Sequence, residues 1–497
     1  MGYGDDNSIA AFATTPGNSA LTLIRCSGNN SFKLFSGIFS SDEKLLQAAG
    51  NTIIHGWILL ENEKIDEVLV SVFRTPKSYT GEDSLDISCH GGIAAGKAVM
   101  ETLLSAGFRE ALPGEFTFRA FMNGKLDLTK SESVMELVSS KTDAGRRRAM
   151  SRLCGSLLAE INEIKQLLVQ VLAGAEIYLD YSEDEISADT EEAAGKLPNQ
   201  AIAHNALARL GKLANSRQLE RIYQEGLTAV IAGRPNAGKS SLFNAMLKED
   251  RSIVTEIPGT TRDWIEAWCS IKGIPLRLID TAGIRETSDQ IEKIGVERSF
   301  QHIQEAHIIL YLIDCTQGIT DEDKQFITEY GTLAQSSSQI LILLWNKSDI
   351  APQTKNISES LNILYLVDNA VSISAKTSEG IEELNNTIIF AIAQRTAAQQ
   401  ETADQTSLQK TAERRRIQKK LQNETLSPSL GTERQKKLVD SAYAALKEAL
   451  VSAEREEPLD LIAPLIREAV NSLGEITGEV STADILEEMF SQFCVGK

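Results

Sequence analysis

Eight consecutive residues in the middle of the chain have the composition and spacing of a phosphate-binding loop. Residues 233–240 read Gly-Arg-Pro-Asn-Ala-Gly-Lys-Ser, which fits the pattern G-x-x-x-x-G-K-[ST]. The backbone N–H groups of such a loop, with the N-terminus of the helix after it, attract phosphate. We therefore predict that Lys239 reaches the outer phosphates of a nucleotide and that the Ser240 hydroxyl binds magnesium.

The segments on either side of this loop are the ones that a phosphate site requires. The apolar run 227–232 predicts a buried strand, and residues 240–247 predict a helix. The alternative is a chance match to the pattern in a glycine-containing turn. The order of strand, loop and helix argues against that alternative.

A second motif indicates which nucleotide the loop serves. Residues 346–349 read Asn-Lys-Ser-Asp and follow the strand-like run 340–345. A carboxylate at Asp349 can accept hydrogen bonds from the N1–H and the exocyclic amine of guanine. Adenine offers no such pair of donors and would leave the carboxylate unpaired, which is a costly mismatch.

Two further motifs complete the pattern of a GTPase domain. Residues 280–283, Asp-Thr-Ala-Gly, supply a magnesium-side aspartate and a glycine near the γ-phosphate, and residues 374–376, Ser-Ala-Lys, look like the loop that backs the guanine base. The four motifs stand in the order that a GTPase needs. The predicted GTP-binding residues are Asn236, Ala237, Gly238, Lys239, Ser240, Ser241, Thr255, Glu256, Ile257, Pro258, Gly259, Thr260, Thr261, Asp280, Thr281, Ala282, Gly283, Asn346, Lys347, Asp349, Ser374, Ala375 and Lys376.

The residue that would activate the attacking water is less obvious. GTPases of the Ras type carry a glutamine directly after Asp-x-x-Gly, but this chain has Ile284, which cannot polarise water. Either hydrolysis is very slow or another residue acts. Glu292 is the best local carboxylate for orienting or deprotonating water, and the alternative is that it is an ordinary exposed helix residue.

No arginine is obviously placed to neutralise the negative charge that develops on the phosphates in the transition state, although Arg262 and Arg285 are nearby in the sequence. A potassium ion could take that role, held by Asn236 together with oxygens of Thr255, Ile257 and Thr260. Thr261 is the expected switch threonine, which offers its hydroxyl to magnesium only when the γ-phosphate is present.

Composition sets limits on the partners and the compartment. The chain has 497 residues, enough for about three domains, and its formal net charge of −19 argues against nucleic-acid binding over a broad basic surface. Six scattered cysteines without a CxxC pair suit a reducing cytosol. The N-terminus lacks the features of a signal peptide, and no apolar run has membrane-spanning length, so we expect a cytoplasmic protein without membrane contact.

The pattern along the chain predicts an α+β N-terminal domain and a helical domain interrupted by the GTPase domain. Strands are expected at 21–25, 52–60, 65–73 and 84–88, with a turn at 61–64. Apolar residues from Leu153 to Val171 recur at helical spacing and predict one long helix. The polar stretch 395–431 is expected to be a mobile or extended helical insertion. The predicted domains are 1–125, 126–225 (first part of the helical domain), 226–394 (GTPase) and 395–497 (second part).

Several other stretches carry a resemblance to a known family. They include 78–83 (Ser-Tyr-Thr-Gly-Glu-Asp), 89–92 (Cys-His-Gly-Gly), 113–117 (Pro-Gly-Glu-Phe-Thr), 123–128 (Asn-Gly-Lys-Leu-Asp-Leu) and the ending 493–497 (Phe-Cys-Val-Gly-Lys). With the inserted GTPase domain, the chain resembles the MnmE (TrmE) family of tRNA uridine-modification GTPases over nearly its whole length. These motifs are specific to that family and are not shared by GTPases at large.

The resemblance implies three domains: a folate-binding N-terminal domain, a helical domain and an inserted Ras-like P-loop GTPase domain. It also implies a homodimer, which forms through the N-terminal domain. It implies a heterotetramer with an MnmG-type, FAD-containing partner that modifies carbon 5 of the wobble uridine of tRNA. The one-carbon unit would come from 5-formyl- or methylene-tetrahydrofolate, and hydrolysis of GTP would need Mg²⁺ and be stimulated by K⁺. Carried over by motif, the folate-binding residues are Arg25, Glu82, Lys125 and Lys497.

Two alternatives remain open at this point. Cys494 could act as a nucleophile toward carbon 6 of the uridine, or it could be a small apolar residue packed beside the folate site. The whole chain could instead be a GTPase switch that regulates the assembly of a complex and has no role in base chemistry. Folate binding by residues 1–125 would separate the enzyme from the switch.

Overall fold

The computed structural model describes residues 3, 6–180, 197–249, 265–280, 301–336, 339–351, 369–400, 427–480 and 483–496. The chain divides into two compact units. The first unit comprises Met1–Met135, Arg152–Leu210 and Arg434–Lys497, and the second comprises Glu136–Ser151 and Gly211–Glu433. Among the described residues, none of the helices combines the length and the apolar character that crossing a membrane requires.

The strands and helices follow one another along the chain in a mixed order. The strands are β1 (Ile9–Phe12), β2 (Leu21–Ser27), β3 (Thr52–Leu60), β4 (Glu63–Phe73), β5 (Ser84–His90), β6 (Arg109–Glu110), β7 (Leu227–Gly233), β8 (Ile265–Ile271), β9 (Ile274–Asp280), β10 (Ile308–Asp314), β11 (Ile340–Asn346) and β12 (Asn369–Ser372). The helices are α1 (Ser31–Ser36), α2 (Asp42–Gln47), α3 (Ile93–Ser105), α4 (Glu115–Met122), α5 (Leu128–Ser139), α6 (Asp143–Leu153), α7 (Ser156–Asp180), α8 (Gln200–Ala214), α9 (Ser216–Glu225), α10 (Lys239–Glu249), α11 (Asp321–Ser336), α12 (Ile381–Gln400), α13 (Glu433–Glu454), α14 (Leu459–Thr477) and α15 (Ala483–Ser491).

The first unit contains a six-stranded sheet with the order β3-β4-β5-β2-β1-β6, in which only β1 and β6 are parallel. Alternate residues of β4 (Val68, Val70 and Val72) are buried, as expected for a strand with one covered face. The predicted strands are confirmed. The hairpin turn is shorter than the predicted 61–64, because Glu61 and Asn62 both adopt positive φ angles, which a tight two-residue turn requires.

The long helix α7 packs against α14 in the first unit. Its fully buried residues are Leu157, Ile161, Ile164, Leu168, Val171 and Ala175, which form one stripe at helical spacing. The prediction of one helix that includes Leu153 is wrong. Leu153 ends α6, and α7 begins only at Ser156, because Gly155 between them has a φ of +95° that a continuous helix cannot contain.

The C-terminal residues of the first unit pack on α4. Aromatic side chains of α4 and of the region around α15, including Phe118, Phe490 and Phe493, form one buried cluster. The Gly114 N–H donates to the Cys494 carbonyl at 3.2 Å. Gly114 has a φ of +69°, and a Cβ at this position would lie 2.7 Å from the Phe490 carbonyl oxygen. Glycine at position 114 therefore lets residues 490–494 pack closely against the start of α4.

The second unit contains a six-stranded sheet with the order β12-β11-β10-β7-β9-β8. All its neighbouring strands are parallel except β8 and β9. The strands β10 and β11 are buried along their whole length, as strands covered on both faces are. This is the Ras-like P-loop arrangement expected from the four motifs. The carboxyl ends of its parallel strands lie at one edge, where α/β sheets bind their ligands.

Three segments that the sequence assigned to the helical domain, 136–151, 211–225 and 395–433, lie in this second unit. Thr142 donates its hydroxyl to the Gly273 carbonyl at 2.8 Å, in the turn between β8 and β9. The Arg148 guanidinium lies 4.0 Å above the Tyr223 ring and forms an ion pair with Glu220. Helix α12 continues across the predicted boundary at 394, and most of the polar stretch 395–431 lies outside the described residues.

Candidate functional site

The phosphate loop connects β7 to α10 as the sequence predicts. Asn236 and Gly238 both have positive φ angles, and a Cβ on Gly238 would collide with the side-chain amide of Asn346. The Lys239 ammonium donates to the carbonyl oxygens of Gly233 and Arg234 at 2.8 and 3.0 Å. Burial lowers the pKa of Lys239, and the charge of Asp280 offsets part of that shift. The loop thus holds one desolvated cation among its backbone groups.

Two oxygen donors meet beside the loop. The Ser240 hydroxyl donates to Asp280 Oδ2 at 2.8 Å, and Asp280 is completely buried at the end of β9. Hydroxyl and carboxylate oxygens are the ligands that Mg²⁺ prefers, and Mg²⁺ commonly keeps several waters beside one or two protein ligands. The donor set therefore fits the predicted magnesium. Within the described part of the chain, no group of three or more His, Cys, Asp or Glu side chains forms another candidate metal site.

The predicted guanine motifs form one hydrogen-bonded assembly at the ends of β11 and β12. The Asn346 amide donates to the Ala237 carbonyl at 2.7 Å and accepts from the Ala375 N–H at 2.9 Å. The Ser374 hydroxyl donates to Asp349 Oδ1 at 2.8 Å. Asn346 thus connects the phosphate loop to the 374–376 loop, and Ser374 orients the Asp349 carboxylate.

These residues line an open cavity of about 390 Å³. This volume lies within the range of pockets that bind small molecules and cofactors. The lining combines three of the predicted motifs with a face of α10. Its residues are Gly238, Ser241, Asn244, Ala245, Lys248, Asn346, Lys347, Asp349, Ile350, Ser374, Ala375, Lys376 and Ser378. The sequence motifs do not include Asn244, Ala245 and Lys248, because these residues lie in α10 beyond the end of the phosphate-loop motif.

Lys347 has a partner that the sequence reading also missed. Its ammonium lies 2.6 Å from Asp314 Oδ2, and Asp314 is 9% exposed at the end of β10. Burial raises the pKa of Asp314, but hydrogen bonds from Lys347 and Thr316 outweigh burial and hold the pKa below its ordinary value. The sequence held one signal for this ion pair, which is the position of Asp314 as an acidic residue at the end of β10, the strand next to β11.

Several predicted residues lie outside the described part of the chain. They are Thr255, Glu256, Ile257, Pro258, Gly259, Thr260, Thr261, Thr281, Ala282, Gly283, Glu292 and Lys497. Of the four predicted potassium-binding residues, only Asn236 is described, and it is exposed in the phosphate loop.

The predicted folate residues belong to the first unit. Arg25 in β2 lies opposite Asp86 in β5 and donates to both of its carboxylate oxygens at 2.9 and 3.1 Å. The Arg25 guanidinium also lies 5.8 Å from the centre of the Tyr79 ring. Burial lowers the pKa of Arg25, but the hydrogen bonds and charge of Asp86 raise it above its ordinary value. Arg25 is therefore a fixed cation beside an aromatic ring.

Glu82 stands at the edge of a buried polar cluster. Its carboxylate accepts from the Ser27 hydroxyl at 2.8 Å, and Arg119 Nη1 lies 3.1 and 3.3 Å from its two oxygens. Arg119 also contacts Glu115, which has no exposed surface. Burial raises the pKa of Glu115, but hydrogen bonds from Arg109, Leu112 and Arg119 hold it below its ordinary value. The motifs assign no role to Arg119, and the structure identifies it as the partner of Glu82.

Lys125 and Cys494 belong to the same unit. The Lys125 ammonium donates to the Pro76 carbonyl at 2.9 Å, and a Cβ on Gly81 would lie 3.5 Å from Lys125 Cγ. Arg25, Glu82 and Lys125 thus contact or border the segment 76–82. Cys494 is exposed, which disagrees with the alternative of a packed apolar residue. The neighbouring Phe493 is the side chain that fills the aromatic cluster.

Comparison with known proteins gives matches over nearly the whole chain. The family model of the GTP-binding protein TrmE N-terminus matches residues 8–125, and the model of the MnmE helical domain matches residues 128–494. The tRNA modification GTPase MnmE of Treponema denticola is 41% identical, with 100% of this chain and 99% of that protein covered. The protein of the same name from Carboxydothermus hydrogenoformans is 38% identical, with 99% of this chain and 100% of that protein covered.

Among solved structures, a variant of Era from Aquifex aeolicus bound to GDP and aluminium fluoride is 26% identical, with 36% of this chain and 68% of that chain covered, at a TM-score of 0.27. The full-length relatives are named GTPases, which agrees with the phosphate loop and the guanine motifs at the carboxyl edge of the second sheet. The chain belongs to the MnmE family of tRNA modification GTPases.

Proposed function

We propose that this chain is the potassium-stimulated GTPase of a two-protein system that modifies the wobble uridine of tRNA. The observation that carries the proposal is the cavity at the carboxyl edge of the second sheet, whose lining joins the phosphate loop to the two guanine motifs. The relatives that match along their full length are named tRNA modification GTPases, which favours the same assignment. The system would operate in the cytoplasm, where tRNA is available.

In the proposed nucleotide site, each motif binds one part of GTP. Asp349 would accept the two N–H groups on the guanine edge, while Lys239 and the backbone of 236–241 bind the phosphates. Ser240 and Asp280 would hold magnesium, which when bound stabilises charge on the phosphate oxygens. We assign Thr261 as the switch threonine. The loops 255–261 and 281–283 would contact the γ-phosphate.

We propose Glu292 as the residue that orients the attacking water, because Ile284 occupies the place of the usual glutamine. Asn236, with oxygens of Thr255, Ile257 and Thr260, would bind potassium and supply the positive charge that an arginine supplies elsewhere.

The test of this arrangement is GTP hydrolysis by the purified chain in potassium and sodium chloride at equal ionic strength. We expect strong stimulation by potassium, loss of activity in Glu292→Ala and little change in Glu329→Ala, a control at an exposed residue of α11. Equal slow rates in both salts would refute the potassium site and favour a GTPase switch.

In the first unit, we propose that Arg25, Glu82, Lys125 and Lys497 bind a tetrahydrofolate. A carboxylate has about four acceptor positions, and Ser27 and Arg119 together use only part of the Glu82 capacity. The remaining capacity fits a pterin edge with paired N–H donors, and the cations fit the glutamate tail of the folate.

Folate binding can be measured by equilibrium dialysis with 5-formyl-tetrahydrofolate. Glu82→Gln is expected to weaken binding about tenfold, because an amide cannot accept as a charged carboxylate does. Glu101→Gln, on the exposed face of α3, is the matched control and should bind as the unaltered chain does. Equal affinity of all three proteins would contradict the assignment of Glu82.

We also propose the three-part organisation that the sequence predicts. It comprises an N-terminal domain (1–125), a helical domain made of two segments (126–225 and 395–497) and a GTPase domain (226–394). We further propose that the chain forms a homodimer through its N-terminal domain and a heterotetramer with an MnmG-type flavoprotein. Together they would add a carboxymethylaminomethyl-type group to carbon 5 of the uridine, with the one-carbon unit taken from 5-formyl- or methylene-tetrahydrofolate.

A further inference from the structure

Asp314 is a buried carboxylate that lies beside the guanine motif without lining the cavity. It ends β10, and in the parallel pairing of β10 and β11 it stands opposite Asn346. Its Oδ2 atom is 2.6 Å from the ammonium of Lys347. Lys347 lines the cavity and has a φ of +68°, so its backbone is turned at the point where the chain leaves the strand. The ammonium is engaged by Asp314, and the methylene stem therefore has a fixed direction.

The second oxygen of Asp314 holds the carboxylate itself in place. Oδ1 accepts from the N–H and the hydroxyl of Thr316 at 2.9 and 2.7 Å. The Asp314 carbonyl accepts from the N–H groups of Gln317 and Gly318 at 3.1 and 3.0 Å, which closes a tight turn. A carboxylate with both oxygens engaged cannot rotate freely, so the ion pair with Lys347 has one geometry.

The turn after Asp314 is also anchored to the phosphate loop. Gln317 accepts a hydrogen bond from Arg234 Nη1 at 3.2 Å, and the Arg234 guanidinium forms an ion pair with Glu322 in the first turn of α11. The Arg234 carbonyl in turn accepts from Lys239. Residues 314–318 therefore contact both the lysine of the guanine motif and the first residues of the phosphate loop.

We propose that Asp314 is a positioning residue for guanine nucleotide binding, acting by holding the side chain of Lys347 against the base-binding cavity. The inference rests on the proposed function, because it takes the cavity to be the site of the guanine base. Asp314 touches no nucleotide in this account. It fixes the direction of a side chain that does, and without it Lys347 would have to be ordered by the ligand at an entropic cost.

The test is a double-mutant cycle on the full chain, with equilibrium binding of GDP as the measurement. Asp314→Asn keeps an oxygen for Thr316 but places an amide donor against the Lys347 ammonium. We expect it to raise the dissociation constant of GDP about tenfold. Lys347→Met removes the other partner, and Asp314→Asn should change the dissociation constant less than twofold in that background.

Controls separate this role from a merely structural one. Asp321→Asn, at an exposed carboxylate that pairs with Lys324 at the start of α11, should bind GDP as the unaltered chain does. Thermal unfolding without nucleotide reports whether each variant folds. If Asp314→Asn is unstable, Lys347→Met tests the same ion pair through its more exposed member. The turnover number at saturating GTP should stay within about twofold in Asp314→Asn, because chemistry at the γ-phosphate does not involve Lys347.

The outcomes distinguish the inference from the proposed function. Weaker binding that disappears in the Lys347→Met background supports the positioning role. Equal GDP affinity in Asp314→Asn, or an equal loss in both backgrounds, overturns the inference and leaves the proposed function intact. Failure of the unaltered chain to bind any guanine nucleotide overturns both.

Discussion

Replacing Asp349 by asparagine should change the purine that the chain selects. In the structure, Asp349 Oδ1 accepts from the Ser374 hydroxyl at 2.8 Å, and the side chain lines the cavity. Asparagine has the same shape, and its oxygen can keep the Ser374 contact. Its amide nitrogen then occupies the position of the second carboxylate oxygen, where it presents donors in place of acceptors.

The expected magnitude follows from the hydrogen bonds that are lost. A hydrogen bond to a charged group contributes about 1.5–3 kcal/mol, so two guanine N–H bonds to a carboxylate contribute at least about 3 kcal/mol. Their loss corresponds to an increase of roughly 100-fold in the dissociation constant of GTP. Xanthine carries a carbonyl where guanine carries its amine, so the variant should bind xanthosine triphosphate more tightly than GTP.

The assay is competition by GTP and xanthosine triphosphate for a fluorescent nucleotide, with Asp321→Asn as the control for removal of one negative charge. The reasoning predicts a reversed preference in Asp349→Asn and an unchanged preference in the control. A variant that keeps its affinity for GTP would refute the assignment of Asp349 to the guanine edge. Equal loss of both nucleotides would mean that Asp349 supports the fold of the cavity rather than recognising the base.

Three further predictions concern stability and metal dependence. Glu220→Ala removes the carboxylate that the buried Arg148 binds and should lower the free energy of unfolding by about 3–5 kcal/mol in urea titrations, whereas Asp143→Ala in an exposed pair should cost less than about 1 kcal/mol. Although burial raises it, the pKa of Glu115 is held below its ordinary value by arginines, so its stabilising contribution is complete above about pH 4.3 and is lost as the pH falls through the lowered folded-state pKa. Glu115→Gln should flatten the acid limb of stability measured against pH, and an unchanged limb would contradict this reasoning. Chelation of magnesium should abolish GTP hydrolysis, with recovery on adding Mg²⁺; full activity in chelator would argue against Ser240 and Asp280 as a metal site.

The strands and the nucleotide motifs were predictable because their signals are local. Buried parallel strands form continuous apolar runs, and β11 is an example that ends directly at a polar residue, Asn346. The phosphate loop was recognisable because glycine is needed where backbone approaches a partner closely, as Gly238 does at Asn346. The strand–loop–helix order then indicated where these residues meet.

The contacts that lie between distant segments were not predictable. No local pattern joins Glu82 to Arg119, or Asp314 to Lys347, because these pairs are 37 and 33 residues apart and depend on strand order. The break between α6 and α7 was missed because the apolar stripe continues across Gly155, and periodicity does not register a single residue with positive φ. The exposure of Cys494 depends on which neighbour fills the aromatic cluster, which is a matter of packing.

Reconstitution of tRNA modification with the purified chain tests most directly whether GTP hydrolysis drives the reaction. The reaction contains an MnmG-type flavoprotein, unmodified tRNA, a tetrahydrofolate one-carbon donor and glycine or ammonium, and mass spectrometry then measures the wobble nucleoside. We expect a mass increase at this uridine when GTP is present and none with a non-hydrolysable GTP analogue or without the chain. An unmodified uridine in the presence of GTP, or equal modification with the analogue, would contradict the proposal that GTP hydrolysis by this chain drives the modification.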